Sequence, residues 1–224
     1  MYKAEIETFC MNILDVEILM AYLNEETFLG FSQKKKIVQS DVILGIYHLA
    51  KKKIIDIQND TICICEKYQE IIDCIRNAHS VLILEPTDKK YKKKCCYIGE
   101  DVLVSELSDV RKNEMIVYHV EKERLCELLL EEEYFFGQKR KREELFKEDD
   151  EEKIVADDLE KYCAEIDVYL KMYLHKNGKC SEKIYLTDEG LDEYIYRYKE
   201  NEKEIVRQIY SKENISKLIQ TMMV

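Results

Sequence analysis

The sequence predicts an α+β protein: an N-terminal winged-helix-like segment followed by two pseudo-symmetric repeats, each helix, antiparallel meander, helix. Three observations predict it. The middle of the chain recurs at its end: Tyr97–Asp101 (YIGED) returns as Tyr185–Glu189 (YLTDE), Ile116-Val117 as Ile205-Val206, and Glu121–Leu129 as Ser211–Ile219. The offset drifts only from 88 to 89 to 90 residues, so ordered blocks slip by single residues, which is the mark of a duplicated unit. Apolar residues also recur with helical period in some segments and period two in others, in an order that gives helix, helix, hairpin and then helix, four strands, helix twice. Finally, 46% hydrophobic residues with one proline and six glycines in 224 residues describe a globular chain of well-formed elements joined by short polar turns.

In chain order, residues 5–24 are expected to form a helix with Phe9, Ile13, Val16, Met20 and Leu23 on one stripe. Ser40, a good N-cap, opens a second helix through Ile43, Ile46, Tyr47 and Ala50 into Lys51–Lys53, whose charge complements the helix dipole. Two short strands follow around Gln58-Asn59-Asp60. Residues 1–65 are thus the winged-helix-like segment. The first repeat, 66–136, starts with a helix carrying Tyr68, Ile71, Ile72 and Ile75, continues as VLILEP, KCCYIG, VLVSEL and MIVYHV, and closes with a helix from Glu121 to Tyr134. Residues 137–152 are a charged linker with few apolar anchors, expected to be the first site of limited proteolysis. In the second repeat, 153–224, a helix around Leu159 and Tyr162 precedes EIDVYLKMYLHK, with Ile166, Val168, Leu170, Met172 and Leu174 at strict period two. Asn177-Gly178 is a hairpin turn, because both residues tolerate positive φ. Three more strands lead to a final helix capped by Ser211.

The formal net charge of −11 opposes general affinity for nucleic acid or anionic membrane. Even the first sixty residues carry seven lysines against nine acids. No basic n-region opens the chain, and no apolar run approaches the roughly 20 residues of a membrane span, so a cytoplasmic protein with reduced thiols is expected. The nine cysteines contain no CxxC; Cys63-x-Cys65 and Cys95-Cys96 are the close pairs, and the alternating Ile62–Cys65 reads as a strand. His48, His79, His119 and His175 stand far apart. With no phosphate-binding glycine loop, nucleophile elbow or zinc-helix motif, neither a catalytic constellation nor a metal or other cofactor is expected. One group suits binding: Tyr194, Tyr196 and Tyr198 share a strand face opposite Ile195. If Ile195 faces the core, three rings of the kind that interfaces favour point toward a protein partner; otherwise they pack under a neighbouring helix.

Ile18–Leu23, the stretch DVILGIYHLAKKKIID, and the strands from VLILEP to MIVYHV with the helix after them carry a family resemblance. In the order of its elements the chain resembles the cytosolic substrate chaperones of type VII (ESX) secretion, the EspG-type proteins. The resemblance implies quasi-two-fold symmetry around an antiparallel sheet and a noncatalytic adaptor shielding an apolar helical tip of a secreted protein. The chain is shorter than typical members and differs in residue usage, and no binding residue carries over. The competing class is a winged-helix transcription regulator with a C-terminal ligand or dimerisation domain. Against it, Ser40–Lys53 contains no arginine, and its lysines cluster at the C-terminal end rather than where such helices meet bases.

Overall fold

The computed structural model describes residues 8–23, 30, 38–59, 61–108, 111, 113–132, 135, 151–156, 158–190 and 192–223. The chain divides into two compact units: Met1–His79 with Cys95–Val120, and Ser80–Lys94 with Glu121–Val224.

In the first unit, strand β1 (Thr8–Asn12) pairs antiparallel with β7 (Glu114–Val120), Phe9 opposite Val117; β7 pairs with β6 (Val102–Leu107), and β5 (Lys94–Ile98) lies beside β6. This corrects the expected helix at 5–24. Asn12 is extended, and its side chain accepts a hydrogen bond from the Leu14 N–H at 3.0 Å, so helix α1 spans only Ile13–Tyr22. Phe9 fitted the helical stripe by spacing, yet it lies on a strand, its ring edge-on to Tyr68 at 6.3 Å. Next come α2 (Gln39–Lys51), the hairpin β2 (Ile55–Gln58) and β3 (Thr61–Ile64), and α3 (Glu66–Arg76). Helix α2 begins before Ser40: the carboxylate of Asp41 accepts from the Val38 N–H at 3.1 Å and closes the first turn. Asn59, at φ 51°, supplies the left-handed residue of the hairpin.

In the second unit the strand order is β4 (Ser80–Pro86), β9 (Asp167–Lys176), β10 (Lys179–Asp188), β11 (Glu193–Lys199), β12 (Glu204–Ile209) and, at the edge, β8 (Glu152–Val155). These neighbours pair antiparallel, with Leu82 opposite Leu174, Ile184 opposite Met172, and Tyr185 opposite Tyr196. Asn177 and Gly178, at φ 51° and 73°, make the β9–β10 turn. Helices α4 (Lys122–Glu131) and α6 (Lys212–Met222) contact each other, and the Cys126 thiol donates to Ser216 Oγ at 3.4 Å. Ser211 caps α6, accepting from the Asn214 N–H at 3.0 Å. The expected linker, 137–152, lies outside the described residues except for its last two, and Glu152 belongs to β8.

Both faces of this sheet are buried. Leu170, Met172, Ile184, Leu186 and Ile195 share one face by register, and Ile195 and Val206 line a cavity together with Leu218 of α6. On the other face Tyr185, Tyr196, Tyr198 and Ile205 pack with Leu159 and Cys163 at the short helix α5 (Leu159–Tyr162).

The recurring sequence blocks fall at matching places in the element order. Tyr97 lies on β5 and Tyr185 on β10, each the second strand after a helix and each 1% exposed. Ile116-Val117 lie on β7 and Ile205-Val206 on β12; the third pair of blocks makes α4 and α6.

Candidate protein-binding surface

The three tyrosines singled out above do not form an exposed anchor. Tyr196 and Tyr198 are 2% and 3% exposed, and only Tyr194 is partly open. The physical reason is the second covered face: alternation locates the two sides of a strand, but helix α5 dries the side that would otherwise be wet. Tyr162 of α5 lies against Tyr196 with ring centroids 5.8 Å apart. The Tyr196 hydroxyl donates to Glu189 at 2.7 Å, and Glu189 accepts from Arg207 at 3.2 Å. Arg207 also bonds Glu152 at 3.2 Å and stacks over the Tyr194 ring at 3.6 Å, so even that ring is partly capped. Burial, reinforced by the bond to Glu189, pushes the Tyr196 phenol well above the ordinary tyrosine range. Burial, with a contribution from Glu189, likewise pushes the Cys163 thiol up to about 11. These groups stay protonated at neutral pH and hold the core together.

A different surface has the character of a binding site. In the first unit an open apolar cavity of about 240 Å³ lies between α1, α2 and the β2–β3 hairpin. Ile18 and Tyr22 line it from α1, Val42 and Ile46 from α2, and Ile55 and Ile62 from the hairpin. It is smaller than the roughly 300–1,000 Å³ typical of small-molecule pockets and lacks their convergent polar groups. It suits one or two apolar side chains. Its walls are fixed locally: the Tyr22 hydroxyl donates to the Ile62 carbonyl at 3.5 Å, and the Cys65 N–H donates to the Ile54 carbonyl at 2.9 Å. Lys52 at the end of α2 pairs with Asp15 of α1 at 3.1 Å, Asp15 being 1% exposed. Gly45, buried on α2, lets α1 approach so closely that a Cβ there would collide with the Ile18 side chain.

Beside the cavity, the outward face of α2 exposes Ile43 (63%), Leu44 (50%) and Tyr47 (61%). From sequence, Ile43 and Tyr47 are expected only to lie on the helix that Ser40 opens. The overlooked signal is that Val42, Ile43, Leu44, Ile46, Tyr47 and Leu49 circle the helix, supplying more apolar surface than one packing face uses.

Among the described residues no group of three or more His, Cys, Asp or Glu side chains is arranged to hold a metal ion, and no helix is long and apolar enough to cross a membrane. No protein-family model matches the chain, and no curated protein matches it. By structure the chain is similar to the Mycobacterium tuberculosis type VII secretion system chaperone EspG5, solved in complex with a PE25–PPE41 dimer. The TM-score is 0.56 over 97% of this chain and 96% of that chain, at 10% sequence identity. At that identity the likeness is one of fold: a mixed α/β protein built on a large antiparallel sheet.

Proposed function

We propose that the protein is a noncatalytic protein-binding adaptor or chaperone that covers an apolar helical segment of another protein, of the kind handled by type VII secretion. The observation that carries this reading is the apolar cavity between α1, α2 and the hairpin. An apolar helix destined for export aggregates when exposed to water, and a groove that takes up its anchor side chains keeps it soluble. The EspG-like fold supports the reading, since EspG5 is a chaperone solved with a bound protein dimer. The acidic surface keeps the free adaptor soluble.

The same proposal takes residues 66–136 and 153–224 as copies of one ancestral unit, behind a winged-helix-like start at 1–65. Its support is the repeated element order and the matching positions of Tyr97 and Tyr185 within it. The regulator reading gains nothing from α2, whose outward face carries Ile43, Leu44 and Tyr47 where a base-reading helix would carry donors and acceptors.

The test is photo-crosslinking with a benzophenone amino acid at Tyr22, after co-expression with the helical type VII substrates of the native host. A crosslinked substrate, lost when Ile62→Asp places a charge in the cavity, is the expected result. Failure of every substrate to bind would sink the adaptor reading; binding unaffected by Ile62→Asp would move the site elsewhere.

A further inference from the structure

We infer that the outward face of α2 is a self-association surface, where α2 of one copy pairs antiparallel with α2 of a second copy about a two-fold axis between Gly45 and Ile46. The inference does not depend on the adaptor reading, because the cavity uses the Val42–Ile46 side of the helix and this stripe runs along the opposite side.

The argument begins with spacing. Ser40, Leu44, Tyr47 and Lys51 follow one another at four, three and four residues, the interval that keeps side chains on one stripe of a helix. All four are exposed, and Ile43 widens the stripe at its centre. The pattern is palindromic in position and in chemistry. Turned end for end about its middle, it sets Leu44 opposite Tyr47 of the second copy and Ser40 opposite Lys51 of that copy, each contact occurring twice. This is the requirement for an isologous interface. Apolar residues then meet apolar residues across the centre, while polar residues meet at both ends.

Charge agrees with this orientation. Asp41 stands in the first turn of α2, and His48 and Lys51 in its last. In the antiparallel arrangement Asp41 and Lys51 of the second copy differ in height by one residue, about 1.5 Å. Each acid therefore lies within reach of the other copy's base, and each base within reach of an acid. A parallel pair would set Asp41 against Asp41 and Lys51 against Lys51. The acid-to-base polarity of the helix thus selects an antiparallel second copy as occupant. Contacts within the first unit hold this face outward: the buried Gly45 presses against Ile18, and Lys52 pairs with Asp15.

The interface is small. Helix α2 has 13 residues, so the seam is roughly 20 Å long and falls at or below the low end of specific interfaces, about 1,200 Å² in total. A micromolar, concentration-dependent dimer is expected rather than an obligate one.

Sedimentation equilibrium of the full chain, from about 1 to about 200 µM, tests the inference. The weight-average mass should rise from the monomer value of 26.8 kDa toward that of a dimer. Leu44→Asp and Tyr47→Asp, each checked for an unchanged thermal melt, should weaken association by at least about tenfold, through two buried like charges across the axis. Tyr47→Phe should preserve it. The cavity variant Ile62→Asp should leave the dimer intact, which separates failure here from failure of the adaptor reading. A mass that stays monomeric throughout, or a dimer indifferent to both Asp variants, overturns the inference.

Discussion

Tyr196 shows how one ring serves the second unit. Its ring is buried and lies tilted against Tyr162, and its hydroxyl ends on Glu189, which Arg207 also holds. Tyr196→Ala should therefore cost about 3–5 kcal/mol in a denaturant titration, through the lost ring and the cavity left behind. Tyr196→Phe should cost about 1.5–3 kcal/mol, the range for a hydrogen bond to a charged acceptor. Tyr194→Ala, losing mainly its contact with Arg207, should fall near 1 kcal/mol or below. A similar cost at Tyr194 and Tyr196 would contradict the burial pattern. His175 gives a pH dependence. It sits on β9 with a buried Nδ1 that lacks a partner, and burial, aided by the charge of Lys93, lowers its pKa. The unfolded chain then binds the proton more readily than the folded one. The stability from neutral His175 is present above its ordinary pKa of about 6.5 and is lost as pH falls through the lower folded value. His175→Gln should flatten the stability profile in that acid window; an unchanged slope would show that other groups set it.

At the level of elements, capping and close approach decide where helices begin and how they pack. Ser211 accepts from the Asn214 N–H, so Ser211→Ala should lower stability by about 1 kcal/mol, read from the denaturation midpoint at constant m. Gly45 is the narrow point between α1 and α2. Gly45→Leu should separate these helices and lower the melting temperature, despite leucine's better helix propensity, because Ile18 already fills the space. A higher melting temperature would show that α1 yields readily and that the cavity wall is softer than its packing indicates. The strand β1 illustrates the opposite balance. Phe9 of its segment TFCMN stands at helical spacing from Ile13 of α1, but the ladder to β7 and the cap at Asn12 satisfy its backbone better than a longer helix would.

For the molecule as a whole, the chain is interleaved between its two units. Strand β4 belongs with β9, pairing Leu82 with Leu174 and Leu84 with Met172, although 80 residues separate the end of β4 from the start of β9. A fragment spanning 153–224 contains β9–β12 and α6 but lacks β4, so β9 would present Leu170, Met172 and Leu174 on an open edge. That fragment alone should show no cooperative thermal melt by circular dichroism, whereas the full chain should. A cooperative transition in the fragment would establish that residues 153–224 fold independently of β4.

The sequence by itself determined most of the elements. Period-two alternation marked β9, Asn177-Gly178 marked its hairpin, and Ser211 marked the start of α6. These are local properties, in which each residue's conformational preference and its near neighbours carry the information. Only the tertiary structure decided which faces are dry. Tyr194, Tyr196 and Tyr198 alternate correctly with Ile195, yet helix α5 covers their side and α6 lies against the other, so alternation could not say which side met water. On α2 the reverse occurred: Ile43, Leu44 and Tyr47 are apolar and remain exposed, while Gly45 and Leu49 take the buried face against α1 and the hairpin. Burial depends on what packs across an element from distant parts of the chain, and a single strand or helix carries no record of that neighbour.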